Sequence, residues 1–211
     1  MNLTPIDPDA LPDILARFGR GFAPGSPAAG AFALIAETVR FRAECDTPAH
    51  RRAALALAES FGIPRIDAEP ASAFSWDGRA IRSRSEASVL IHEVAHWLIA
   101  PPARRGLLDF GLGAGPETGR VADADAARCV ADSEKEEEEL LASLLGILWE
   151  AELGQPAVLA FVEQNWLEAW DRPAAAAQFR RAVGLLLARG LIGRDGRPCP
   201  APGFPRVSAG V

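Results

Sequence analysis

The residues of this chain best suited to chemistry are His92, Glu93 and His96, in the run His92-Glu93-Val94-Ala95-His96. On a helix, positions four apart share a face, so two imidazoles at this spacing can close on one metal ion. Glu93 is turned one residue further round, where its carboxylate reaches a group held at the open side of the metal. Val89, Leu90 and Ile91 before the motif, and Leu98 and Ile99 after it, place this helix in a core. Two imidazoles in an apolar helix are costly without a partner, and a metal supplies one.

A third ligand has to come from elsewhere. The remaining histidine, His50, lies in the polar run Pro48-Ala49-His50-Arg51-Arg52, which reads as an exposed helix start. The acidic run Glu134-Lys135-Glu136-Glu137-Glu138-Glu139 is the better source, although acidic residues also favour a helix N-terminus for its dipole alone. A ligand helix must approach closely, so small residues should follow the ligand on its own face. From Glu139 that face continues through Ala142, Ser143 and Gly146. From Glu136 it runs through Glu139 and Leu140, which is also compatible. From Glu137 or Glu138 it meets Leu141 with Leu144 or Leu145, a bulkier contact. Glu139 ranks first as the third ligand and Glu136 second.

The elements that position these residues are mostly helical. Periodicity marks helices near 11–18 and 28–45, and from Thr47 to Phe61, with Gly62 and Pro64 as the stop. A hairpin is expected over Ser72–Arg82, turning at Asp77-Gly78 in a type I′ turn, with Ile66–Glu69 as a strand beside it. The motif helix spans about 85–100 and ends at Pro101-Pro102. Residues 103–132 read as a long loop or short helical pieces, and such loops are often functional. Helices follow over 133–153, from Pro156 to about Trp170, and from Pro173 to Gly190. Trp149, Trp166 and Trp170 read as core. The expected organisation is one metal-binding domain over 1–195 and a loose Gly/Pro-rich tail over 196–211.

Composition sets the frame. The chain has 211 residues, 49% hydrophobic and 24% charged, enough for a soluble domain with a real core. A net charge of −6 argues against nucleic acid or anionic membrane as partner. No apolar stretch is long enough to cross a bilayer, and Met1–Asp9 lacks the basic start and apolar run of a signal peptide. Cys45, Cys129 and Cys199 are widely spaced and read as reduced thiols. A cytoplasmic location is the expectation.

Beyond the histidines, a longer pattern emerges. The run Leu90-Ile91-His92-Glu93-Val94-Ala95-His96-Trp97-Leu98-Ile99-Ala100, then Ala103-Arg104-Arg105, then Leu108-Asp109-Phe110-Gly111, resembles the elongation factor P hydroxylase family. That family carries HExxHW-x-I-A, a following A-R-R and a D-F-G at this spacing. Glu136 and Glu139 fall where it has two glutamates three apart, and Phe179-Arg180-Arg181-Ala182-Val183 with Leu191-Ile192 resembles its C-terminal helix and exit. The resemblance covers about residues 85–195 and is sharpest from Leu90 to Gly111. After Gly111 the chain departs. The family's aromatic Y-W-Y and its P-D-G-R turn are replaced by Leu112–Arg120, and the chain has no Tyr. The family's K-P-Q-A is replaced by Leu140-Leu141-Ala142-Ser143.

The resemblance implies a non-haem iron hydroxylase or monooxygenase, with Fe(II) favoured over Zn(II). It would modify a lysine-type residue of a protein substrate, elongation factor P by analogy, as a post-translational modification. Asp109 and Arg105 would contact either the ligands or the substrate. The ligand types themselves suit both metals, because two imidazoles and a carboxylate leave open positions on either. The alternative is therefore a zinc metallopeptidase with Glu93 as general base. The fold class expected is α+β and mostly helical: a zincin-like core with the HExxH helix, a later acidic ligand helix and a small antiparallel sheet.

Overall fold

The structure is a computed structural model that describes residues 6–41, 46–69, 76–115 and 120–204. The described residues gather into two compact units. One holds the described parts of 46–146 with 200–204, and the other holds 6–41 and 147–199. Eight α-helices and one two-stranded sheet are present among the described residues. None of these helices is long and apolar enough to cross a membrane.

The first unit is built on α3 (Pro48–Ser60) packed along α4 (Ala87–Ile99), the helix that carries the motif. Thr47 caps α3: its hydroxyl accepts from the His50 amide at 3.2 Å, while His50 Nδ1 accepts from the Thr47 amide at 3.5 Å. His50 thus serves a helix end. The N-cap residue of α4, Glu86, makes no side-chain cap. Its first-turn amide at Ala87 donates instead to Asp46 Oδ1 at 2.9 Å, and Asp46 Oδ2 pairs with Arg51 of α3 at 2.6 Å. Leu90, Ile91, Val94 and Ala95 bury the inner face of α4.

The sheet corrects the expected antiparallel arrangement. Strand β1 (Arg65–Ile66) pairs with β2 (Ile81–Arg82) in parallel, Arg65 beside Ile81 and Ile66 beside Arg82. A single antiparallel bridge joins Trp76 to Ile81, and residues 72–75 of the expected hairpin lie outside the described residues. The turn is not type I′, which needs positive φ at both central residues. Gly78 has φ 82° but Asp77 is not in that region. Its side chain makes the turn instead, Oδ1 accepting from the amides of Arg79 and Ala80 at 2.9 and 3.0 Å. The pairing of β1 with β2 comes from chain 15 or so residues apart, a non-local choice that a turn motif does not encode.

Past α4 the chain forms short pieces: single 3-10 turns at Pro102–Arg104 and Leu108–Gly111, then α5 (Val121–Ala127). Trp76 anchors this stretch. Its indole N–H donates to Arg105 O at 3.0 Å, and its carbonyl accepts from the Asp109 amide at 3.3 Å. α6 (Asp132–Glu152) then begins, its residues to Gly146 belonging to this unit and those from Ile147 to the other.

The second unit is helical: α1 (Leu11–Gly19), α2 (Pro27–Ala36), α7 (Ala157–Glu163) and α8 (Pro173–Ala188). The helix expected over 28–45 ends as α2 and tightens into a 3-10 segment, Glu37–Phe41. α7 stops well before Trp170. Asn165 turns left-handed (φ 65°) and the Trp166 amide closes back on Phe161 O at 3.1 Å, which drops Trp166 into the core. There Phe18, Phe22, Phe32, Phe161, Phe179 and Trp166 pack ring against ring, with centroids 5.0 to 6.2 Å apart. Trp149 is buried as expected, whereas Trp170 is half-buried beneath Arg17. The segment after α8 is held by a bridge between Ile192 and Pro198, by the Cys199 amide on Leu191 O at 2.9 Å, and by Arg197 on Glu152 at 2.6 Å.

Candidate metal centre

Two elements of the first unit bring the site together. α4 presents His92 and His96 on one face, and α6 brings Glu139 to them. His92 Nε2 and His96 Nε2 are 3.0 Å apart, and Glu139 Oε2 lies 3.8 Å from the first and 3.4 Å from the second. Ligand bonds of 2.0–2.2 Å in tetrahedral geometry imply ligand–ligand edges of roughly 3.3–3.6 Å. The triangle has the size of one face of such a centre, and the donor set fits a divalent ion. These three are the ligand group that the described residues offer. Glu136 is exposed on α6 and stands outside it.

Small residues allow the approach, as the sequence anticipates. Ala142 is fully buried, and a Cβ placed on Gly146 would lie 3.5 Å from His92 Cα and 3.9 Å from its Nδ1. A larger side chain there would push the helices apart.

Burial drives the electrostatics. His92 is held below the usual imidazole range by burial first and by the nearby His96 charge, which outweigh the pull of Glu139. For His96 burial again acts downward, but Glu138 and Glu139 on its two nitrogens raise it to about 10. Glu139 is held well below the usual carboxylate range: burial opposes this, and the two histidines overcome it. Glu93 is half-buried and pushed up to about 7, by burial first, with Asp109 and Glu139 adding to it against His96.

Around the triangle sits a group of residues that ligand spacing alone does not reveal. Glu138, the neighbour of Glu139, is 4% exposed and turns its Oε1 to His96 Nδ1 at 3.6 Å. Its other oxygen pairs with Arg104, whose second nitrogen donates to Phe110 O at 2.9 Å. The Phe110 ring stacks on His96, centroids 5.5 Å apart and planes 19° off parallel, and also stacks with Trp76 at 5.2 Å. Trp97 meets Trp76 edge to face, and Arg105 lies over the Trp97 ring at 4.7 Å. Asp109, Phe110 and Gly111 have φ of 42°, 53° and 73°, three left-handed residues in succession. For Phe110 that costs about 1–2 kcal/mol.

No protein-family model, curated protein or solved structure matches this chain.

Proposed function

We propose that this protein is a mononuclear metal-dependent hydroxylase that acts on a lysine-type side chain of a protein substrate, as the elongation factor P hydroxylases do. The observation that carries the reading is where the residues of the longer pattern lie. Arg104 and Phe110 both contact the His96 assembly, Trp97 and Arg105 stack beside it, and Asp109 acts electrostatically on Glu93. A histidine pair shared with many metalloproteins would not by itself require A-R-R and D-F-G to gather there.

His92, His96 and Glu139 would hold the ion from one side, leaving the other side for reactants. Ferrous iron, when bound to such a set, would supply O2-dependent hydroxylation, one oxygen atom entering a C–H bond and the other leaving as water on two electrons from an external reductant. Glu93, pushed up by burial in the metal-free site, would be the carboxylate that holds or accepts a proton. Arg105, in the turn after the same helix, lies over the Trp97 ring at 4.7 Å. The test is anaerobic loading with Fe(II), followed by O2 uptake in the presence of elongation factor P and a chemical reductant such as ascorbate. Stoichiometric iron with substrate-dependent O2 consumption is the expected result. Failure to bind iron or consume O2 would sink the reading.

One observation favours a second reading, a zinc metallopeptidase of the zincin-like type. Glu93 directly follows the first histidine of the motif, the position from which a carboxylate acts as general base on a zinc-held water in amide hydrolysis. Under that reading Glu93→Gln keeps zinc and abolishes cleavage. A broad peptide library left uncut by the zinc-loaded protein would remove it.

A further inference from the structure

Glu138 is not part of the ligand triangle, yet it faces the same imidazole. Successive residues on α6 address the two nitrogens of His96: Glu139 Oε2 lies 3.4 Å from Nε2, and Glu138 Oε1 lies 3.6 Å from Nδ1. Nδ1 and Oε1 are both buried and neither makes another hydrogen bond among the described residues. Their burial is close to complete, with His96 5%, Glu138 4% and Arg104 8% exposed. An orphaned buried donor and an orphaned buried acceptor that face each other are a pair awaiting a small closure.

The contacts form a ring. Glu138 Oε2 pairs with Arg104, Arg104 donates to the Phe110 carbonyl, and the Phe110 side chain stacks back on His96. Arg104 is itself fixed by its backbone, its amide on Pro101 O at 2.9 Å and its carbonyl accepting from Leu107. A buried ion pair needs only Oε2 and the guanidinium. It does not account for the second oxygen turned toward the imidazole, nor for the ring laid flat on it.

We propose that Glu138, anchored by Arg104, is a positioning residue for His96. It accepts the Nδ1–H, so that the proton stays on Nδ1 and the Nε2 lone pair points at the metal. Phe110 fixes the plane of the ring. Histidine ligands gain basicity and a defined tautomer from such a carboxylate, and loss of it weakens metal binding by about 10–100-fold. The inference rests on the reading of His92, His96 and Glu139 as ligands.

The test uses zinc and cobalt alone, without substrate. In the zinc-loaded wild-type protein with 15N-labelled imidazoles, His96 should show a protonated Nδ1 whose proton exchanges slowly with solvent. A His96 proton on Nε2, or a fast-exchanging Nδ1–H, overturns the proposal. Glu138→Gln should lower Co2+ affinity 10–100-fold in a chelator competition and alter the cobalt visible spectrum. Because that variant leaves Arg104 as a buried unpaired charge, the double replacement Arg104→Met with Glu138→Leu, which removes both charges, is measured beside it. A folded double variant with wild-type Co2+ affinity and spectrum would make the pair structural only. If the wild-type protein itself binds neither metal, the ligand assignment falls and the positioning role with it. If it binds both and the variants match it, only the positioning role falls.

Discussion

Glu138 and Glu150 lie on the same helix and are almost equally buried, 4% and 5% exposed. They titrate in opposite directions. Glu138, in the unit with the His-His-Glu group, is lowered: burial pushes it up, but His96 and Arg104 outweigh burial. Glu150, in the helical unit, is pushed up to about 8, by burial first and by the Glu163 charge second. The aromatic residues differ in degree. In the helical unit, Phe18, Phe22, Phe32, Phe161 and Phe179 form a cluster of rings. In the unit with the His-His-Glu group, Phe110 and Trp97 pack on Trp76 and also lie against an imidazole and a guanidinium. Burial by itself makes a neutral acid and an inert ring; polar partners placed beforehand make an anion and a platform.

The largest break in this contrast is His92→Ala. Metal affinity should fall by 100-fold or more, read by metal analysis after dialysis. The metal-free melting curve should barely move, since the side chain is 30% exposed. Phe179→Ala should do the reverse. It opens a hole in the fully buried ring cluster and should cost ~3–5 kcal/mol in denaturant unfolding. Metal stoichiometry of the protein still folded should not change.

Glu150→Gln sharpens the comparison through pH. The folded protein keeps this carboxyl protonated to about pH 8, while the unfolded chain ionises it near 4.5. The folded state binds the extra proton between those values, so its stability declines as pH rises through that window. The Gln variant should lose that decline. It should match the wild type near pH 4 and exceed it at pH 9 by an amount on the order of a few kcal/mol. Equal pH dependence of the two proteins would refute the assignment.

Gly146→Ala is the smallest change. Its Cβ would sit at ordinary contact distance from His92, 3.5 Å from Cα. Relief of helical glycine should stabilise the protein by up to about 1 kcal/mol, with metal affinity within twofold. A loss of metal would mean that even ordinary contact between this Cβ and His92 disturbs the aim of the imidazole.

These contrasts also mark what was legible beforehand. Helix periodicity located α1, α3, α4, α6 and α8 to within a few residues, and the small residues after Glu139 picked it over Glu136. The same packing criterion hid Glu138. It asked which carboxylate could approach through small neighbours, whereas Glu138 stands on the face of Leu141 and Leu145, both fully buried. A bulky apolar face argues against close approach but also announces burial, and a buried carboxylate needs partners. Its partner Arg104 lies 34 positions away, beyond any local pattern. The parallel pairing of β1 with β2 was hidden for the same reason. So was the left-handed turn at 109–111, where Gly111 and, more weakly, Asp109 are residue types that favour this region but Phe110 is not.

Asp46 has a mechanical consequence for the metal helix. One residue of slip in a helix turns its side chains by about 100°. Glu86 at the N-cap of α4 supplies no side-chain bond to the first turn, and the buried inner face begins to hold the helix from Ala87 and Leu90 onward. Asp46 grips the Ala87 amide with one oxygen and Arg51 of α3 with the other. It works as an index pin, set outside both helices, that fixes the angular phase of α4. The aim of His92 and His96 is thereby set in part by a carboxylate that lies 46 positions before His92 in the chain and is not a member of the His-His-Glu group.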